Sequence, residues 1–135
     1  MINNNTAFFA RRSKTACYCN NQTEDTELFA QICDAIKNGY ENFMFCPEDE
    51  QGIIFANQLL LRRKLQKGNK PDKIILVAVI SHENNASDKS EEFREKYFDI
   101  LAEADILLDL RTDEDHACEK FMISKSSLII CATTE

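Results

Sequence analysis

The sequence predicts an α/β fold, a three-layer Rossmann-like sandwich around a five-stranded parallel sheet. Three observations predict it. Five short apolar runs are nearly continuous rather than alternating, the pattern of strands buried on both faces. Between them lie segments whose apolar residues recur at helical spacing. The two kinds of segment alternate as βαβαβαβαβ, which requires crossovers between parallel strands and places helices on both faces.

The first run is Ala7-Phe8-Phe9-Ala10. The polar stretch 17–25, with Asn20 and Asn21 adjacent, reads as the longest loop; following strand one, it falls at the edge where such sheets bind ligands. Phe29, Ile32, Cys33 and Ile36 then mark a helix that Gly39 is placed to end. Strand two is Asn42-Phe43-Met44-Phe45-Cys46. After Pro47 come Glu48, Asp49 and Glu50, three carboxylates suited to the positive end of a helix. A long central helix over 53–65 is closed by Lys67-Gly68 and followed by Pro71. Strand three covers 73–80. Phe93, Tyr97, Ile100, Leu101 and Ala104 repeat the helical pattern, in a helix that Asp88 could cap with Glu91 three residues on. The charged stretch 88–96 reads as its solvated face. Strand four is Ile106-Leu107-Leu108-Asp109-Leu110. Asp113, Glu114 and Asp115 lead into a short last helix around Phe121 and Met122, and strand five is Leu128-Ile129-Ile130-Cys131-Ala132.

A chain of 135 residues fits one domain, 1–135, and its 44% apolar and 29% charged residues are ordinary for a soluble globular protein. The net charge of -7 argues against a nucleic-acid partner, which needs a basic face. No apolar run approaches the roughly 18 residues that cross a bilayer, so no membrane partner is expected. Met1-Ile2-Asn3-Asn4-Asn5 lacks the features of a signal peptide, and a cytoplasmic location is expected. Six cysteines in that setting are mostly reduced thiols. Their one close pair is Cys17-Tyr18-Cys19, and without a Cys-x-x-Cys no structural zinc site is indicated and no cofactor is expected.

The turn after strand two is the informative place for function. Turns of this kind hold a phosphate on backbone N–H groups at a helix N-terminus, and they need glycine and no negative charge. Here no glycine precedes Gly52, and Glu48, Asp49 and Glu50 repel an anion. Cys17, Cys19, Cys46 and Cys131 are expected at or beyond C-terminal strand ends, near His82, His116 and Cys118. A soft metal or a redox-responsive thiol pair would need their close approach there, whereas Cys33 and Cys131 read as small buried hydrophobes. His82-Glu83 and the run from Asp113 to His116 have the residue types of acid–base pairs, but no nucleophile accompanies them in a recognisable pattern.

From Ala7 to Ala132 the chain resembles the YpsA-like branch of the SLOG superfamily, Rossmann-like proteins thought to bind nucleotides or nucleotide-derived ligands. The framework segments Glu91-Glu92-Phe93-Arg94-Glu95-Lys96-Tyr97, Leu101-Ala102-Glu103-Ala104-Asp105 and Phe121-Met122-Ile123-Ser124-Lys125-Ser126-Ser127-Leu128-Ile129-Ile130 carry the resemblance. The site motifs depart from it. Where the family reads close to Phe-Thr-Gly-His-Arg-Pro, this chain has Phe8-Phe9-Ala10-Arg11-Arg12-Ser13 and keeps the arginine as Arg12. Cys46 and Glu50 stand where the family has glycines, Gly52 where it has an aspartate, and Cys118-Glu119 where it has Arg-Asn. Ser81 takes a frequent proline position, and the Gly-Gly-Thr turn of many relatives has no counterpart.

The resemblance implies a bacterial, cytoplasmic protein with strand order 3-2-1-4-5. With the site motifs replaced, it implies a non-catalytic module for ligand sensing or protein interaction. Its ligand, a nucleotide-derived small molecule in the family, would sit near Arg11, Arg12, Cys46, Glu48, Glu50, His82, Cys118 and Glu119. The carboxylates favour a neutral, cationic or metal-bridged ligand over a bare nucleotide. An alternative is a nucleotide-binding protein or phosphoribohydrolase-type enzyme that takes phosphate contacts from Arg11, Arg12 or a partner subunit. A third is a homodimer formed through an exposed sheet edge.

Overall fold

The computed structural model describes residues 14–18, 25–66, 68, 72–82 and 89–130. Along the chain run β1 (Thr15–Tyr18), α1 (Asp25–Lys37), β2 (Asn42–Phe45), α2 (Glu50–Lys64), β3 (Ile75–Ile80), α3 (Glu91–Glu103), β4 (Ile106–Asp109), α4 (Ala117–Lys125) and β5 (Leu128–Ile130). All strand pairs are parallel, so the α/β class and the five-stranded sheet are as the sequence predicts.

The strands lie in the order β4-β3-β2-β1-β5. The expected order placed β4 beside β1; here β4 pairs with β3, and β5 takes the place beside β1. The short link from α3 to β4 explains this. The Asp105 backbone N–H donates to Leu76 O at 2.9 Å, and its Oδ2 accepts from the Leu76 N–H at 2.9 Å, which anchors the start of β4 to β3. At the other edge the Ser127 N–H donates to Thr15 O at 2.9 Å and anchors β5 to β1.

This order also assigns the helices to their faces. Three steps in one direction, β1 to β4, put α1, α2 and α3 on one face when each crossover is right-handed; the return from β4 to β5 puts α4 on the other. The two cores agree. Ala16, Phe43, Phe45, Leu76 and Ala78 pack with Leu28 and Ile32 of α1, Phe55 and Leu59 of α2 and Ile100 of α3. The alternate strand residues Cys17, Met44, Val77, Val79 and Leu108 pack under Cys118 and Met122 of α4. Each large apolar side chain so buried contributes about 1.5–3 kcal/mol.

The first strand corrects the expectation. Ala7 to Ala10 lies outside the described residues, and β1 is built partly from the stretch read as loop. Thr15, Ala16, Cys17 and Tyr18 are all buried. The small Ala16 and Cys17 fit a strand flanked on both sides and packed on both faces, where size matters more than the hydropathy of a short run. Cys17 is therefore in the middle of the sheet, opposite Met44 and Ile129, and not at a ligand-facing strand end.

Helix ends follow local chemistry. Gly39, at φ 94°, turns the chain so that its N–H reaches Ile36 O and the Tyr40 N–H reaches Ala35 O, ending α1. α2 starts three residues ahead of its first apolar residue because Asp49 caps it, with Oδ1 accepting from the Gln51 and Gly52 N–H groups at 2.7 and 3.2 Å. α3 is capped by Ser90, whose Oγ accepts from the Phe93 N–H at 3.1 Å, in place of the expected Asp88, which lies outside the described residues. None of the described helices is long and apolar enough to cross a membrane.

Candidate functional site

At the C-terminal ends of β1 to β3, beside the start of α4, lies a cleft of about 490 Å³. That size suits a small molecule, and this end of a parallel sheet is where such folds bind ligands.

Its floor begins at the turn after β2. Gly52 in the first turn of α2 lies so close to this turn that a Cβ there would be 1.9 Å from Cys46 O. A glycine at position 52 is thus a packing requirement. With the turn held down, Glu48 reaches across to the end of β3. Its Oε2 accepts from the Ser81 N–H at 2.6 Å and from Ser81 Oγ at 2.9 Å. Ser81 is held from the other side by its own carbonyl, which accepts the Thr112 N–H at 2.8 Å.

The second Glu48 oxygen, Oε1, faces two thiols. Cys46 Sγ and Cys118 Sγ each lie 3.8 Å from it, Cys118 reaching in from the first turn of α4. One atom from each of Cys46, Glu48 and Cys118 falls within 4.8 Å of the others. Cys118 is buried and Cys46 half-buried. A hydrogen bond to the Cys118 sulfur, then burial, then electrostatic coupling to Cys118 and to the Glu48 carboxylate push the Cys46 thiol far above its usual range, so it holds its proton at neutral pH. Tyr97 of α3 belongs to the same electrostatic environment. Burial first and the Glu48 charge second push its hydroxyl up to about 12. That hydroxyl is buried without a hydrogen-bond partner among the described residues.

The rim is acidic. His82 Nε2 lies 3.0 Å from Asp113 Oδ1, and His116 Nδ1 lies 3.2 Å from Glu119 Oε1. The loop from β4 to α4 that brings Asp113 here is shaped locally: Asp109 Oδ1 accepts from the Arg111 N–H at 2.9 Å, and the Leu110 N–H donates to Ile80 O at 2.9 Å. Arg111 and His116 both take left-handed backbone, at φ 55° and 59°. The described lining includes the carboxylates of Glu48, Asp49, Asp113, Glu114, Asp115 and Glu119, and no lysine or arginine.

Cys46, Glu48, His82, Cys118 and Glu119, five of the residues expected near a ligand, line one cleft. Glu50 does not join them: it is exposed and pairs with Lys96 of α3 at 3.2 Å, because its place on α2 turns it toward the neighbouring helix. Arg11, Arg12, Cys19 and Cys131 lie outside the described residues, and Cys33 is half-buried on α1. Ser81 and Asp113 were missed as site residues, one read as loop divergence and the other as a helix-leading acid. A polar residue directly after an apolar strand was the available signal for Ser81. Nothing in the linear sequence links Tyr97 to Glu48. No family model matches the chain, and no curated protein matches it in sequence.

Proposed function

We propose that the chain is a non-catalytic, SLOG-like ligand-sensing module whose cleft receives a small neutral or cationic molecule. The observation that carries this reading is the charge of the described lining, six carboxylates with no lysine or arginine. A phosphate would meet repulsion there. It would also find the N-terminus of α2 occupied, since Asp49 already accepts from the Gln51 and Gly52 N–H groups. The non-catalytic part is supported by the state of the candidate groups. The Cys46 thiol keeps its proton and is therefore a poor nucleophile.

The test is a thermal-shift screen of the metal-free protein with diamines, polyamines, nucleosides and nucleotides. A cationic or neutral ligand at 100 times its dissociation constant adds about 2.7 kcal/mol and raises the melting temperature. Asp113→Asn and Glu119→Gln should shrink that shift for amines. An equal or larger shift with nucleotides would overturn the reading and favour the nucleotide-binding alternative, with Arg11 and Arg12 as the first residues to replace.

A further inference from the structure

We infer that Cys46, Glu48 and Cys118 form a binding site for a divalent, borderline-soft metal ion, with Zn2+ as the best match. Two sulfurs and a carboxylate oxygen converge from the β2–α2 turn and the start of α4, within 4.8 Å of one another. At metal–sulfur and metal–oxygen bonds of about 2.3 and 2.1 Å, tetrahedral angles separate sulfur from oxygen by about 3.6 Å and sulfur from sulfur by about 3.8 Å. Both observed sulfur–oxygen separations are 3.8 Å, so closing on an ion needs only a small inward movement.

The supporting contacts are those of a metal ligand rather than of a surface acid. The non-ligating oxygen of Glu48 is held by two donors from Ser81, which aims Oε1 at the thiols. Orientation of this kind by an outer partner accompanies protein metal ligands in general. Ser81 is in turn tied to Thr112, and the Cys46 backbone is pressed against Gly52, so both the partner that orients Glu48 and the backbone that carries Cys46 are restrained. Thiolates select borderline and soft cations over Mg2+ and Ca2+. Each cysteine binds as thiolate, so each thiol proton passes to solvent as its metal–sulfur bond forms. Two thiolates and one carboxylate give the Zn2+ unit a net charge of -1. All three residues line the cleft, which leaves a fourth position open to water or to a small molecule.

The site shares the cleft with the proposed ligand but does not rest on that proposal, since amine binding is read on metal-free protein and metal binding without amine. The test is a Co2+ titration of the reduced, chelator-treated chain. A thiolate-to-Co2+ charge-transfer band should grow to saturation at one ion per chain and disappear when Zn2+ is added. Cys46→Ser and Cys118→Ser should abolish the band, and Cys33→Ser should leave it intact. Glu48→Gln and Ser81→Ala keep both sulfurs; they should retain the band while weakening binding, Ser81→Ala by about 10–100-fold. These two variants keep the test decisive if a cysteine variant fails to fold, as checked by circular dichroism. Absence of the band in the parent chain, or its survival in both cysteine variants, would overturn the site. So would a reduced chain that binds no Co2+ yet closes a Cys46–Cys118 disulfide in air.

Discussion

Gly52 shows how a single residue holds the site in place from behind. A Cβ at position 52 would meet the Cys46 carbonyl at 1.9 Å, and a backbone carbonyl cannot swing aside as a side-chain tip can. Gly52→Ala should therefore cost about 1–3 kcal/mol, read as a lower urea midpoint, and should loosen the turn that carries Glu48. A midpoint unchanged by Gly52→Ala would mean that the turn has room to move. Tyr97 carries the opposite imbalance, a buried hydroxyl without a partner among the described residues. Tyr97→Phe should leave stability at neutral pH unchanged or raise it by about 1 kcal/mol. The alkaline side follows from its proton, held to about 12 against an ordinary 10. Between pH 10 and 12 the unfolded chain releases this proton while the folded chain keeps it, so stability falls as pH rises. Over the full window the loss is roughly 2–3 kcal/mol, and it should be missing in Tyr97→Phe. An identical alkaline decline in the variant would assign it to other groups. Of these residues, Glu48 and Cys118 were legible in the sequence because each sits where a strand or helix meets the ligand-binding edge. Their contact was not, because 70 positions separate them and no spacing rule reaches that far.

At the level of elements, periodicity located the helices and capping set their ends. The central helix was read from its first apolar residue, Ile53, but it begins at Glu50 because Asp49 supplies the cap. Residue spacing offers Asp88 as a possible cap for the third helix, yet Ser90 stands directly before the first helical residue and bonds the Phe93 N–H. Asp49→Ala and Ser90→Ala should each cost about 1 kcal/mol in denaturant unfolding. Asp49→Ser, which restores an acceptor without the charge, should recover most of that loss. If Asp49→Ser were as destabilising as Asp49→Ala, the charge near the helix dipole rather than the capping bond would be the larger contribution. The first strand escaped the sequence reading for a different reason. Thr15-Ala16-Cys17-Tyr18 has little hydropathy of its own, and its strand character comes from β2 and β5 on either side.

For the molecule as a whole, the layers were legible and the strand order was not, since order depends on a few contacts that leave no periodic mark. Asp105 makes the most informative of them. One carboxylate oxygen accepts both the Leu76 N–H of β3 and Arg63 Nη1 of α2, each at 2.9 Å, while Arg63 Nη1 also donates to Ile74 O at 3.0 Å. A strand, a helix and the start of β4 thus converge on a single side chain. The two contacts differ in worth. Both partners of the ion pair are partly exposed, so its contribution is about 0–1 kcal/mol. The bond to the Leu76 N–H satisfies a part-buried backbone donor, whose loss costs about 1–3 kcal/mol. Asp105→Ala should consequently destabilise clearly more than Arg63→Ala, with the slope of the denaturant curve unchanged in both because the same surface is exposed on unfolding. Asp105→Asn should fall between them, since its amide oxygen can still accept from Leu76 while the charge is gone. Equal losses for Arg63→Ala and Asp105→Ala would place the coupling in the ion pair. The position of β4 beside β3 would then depend on charge, and the protein should lose stability as salt is added, which the backbone bond alone would not cause.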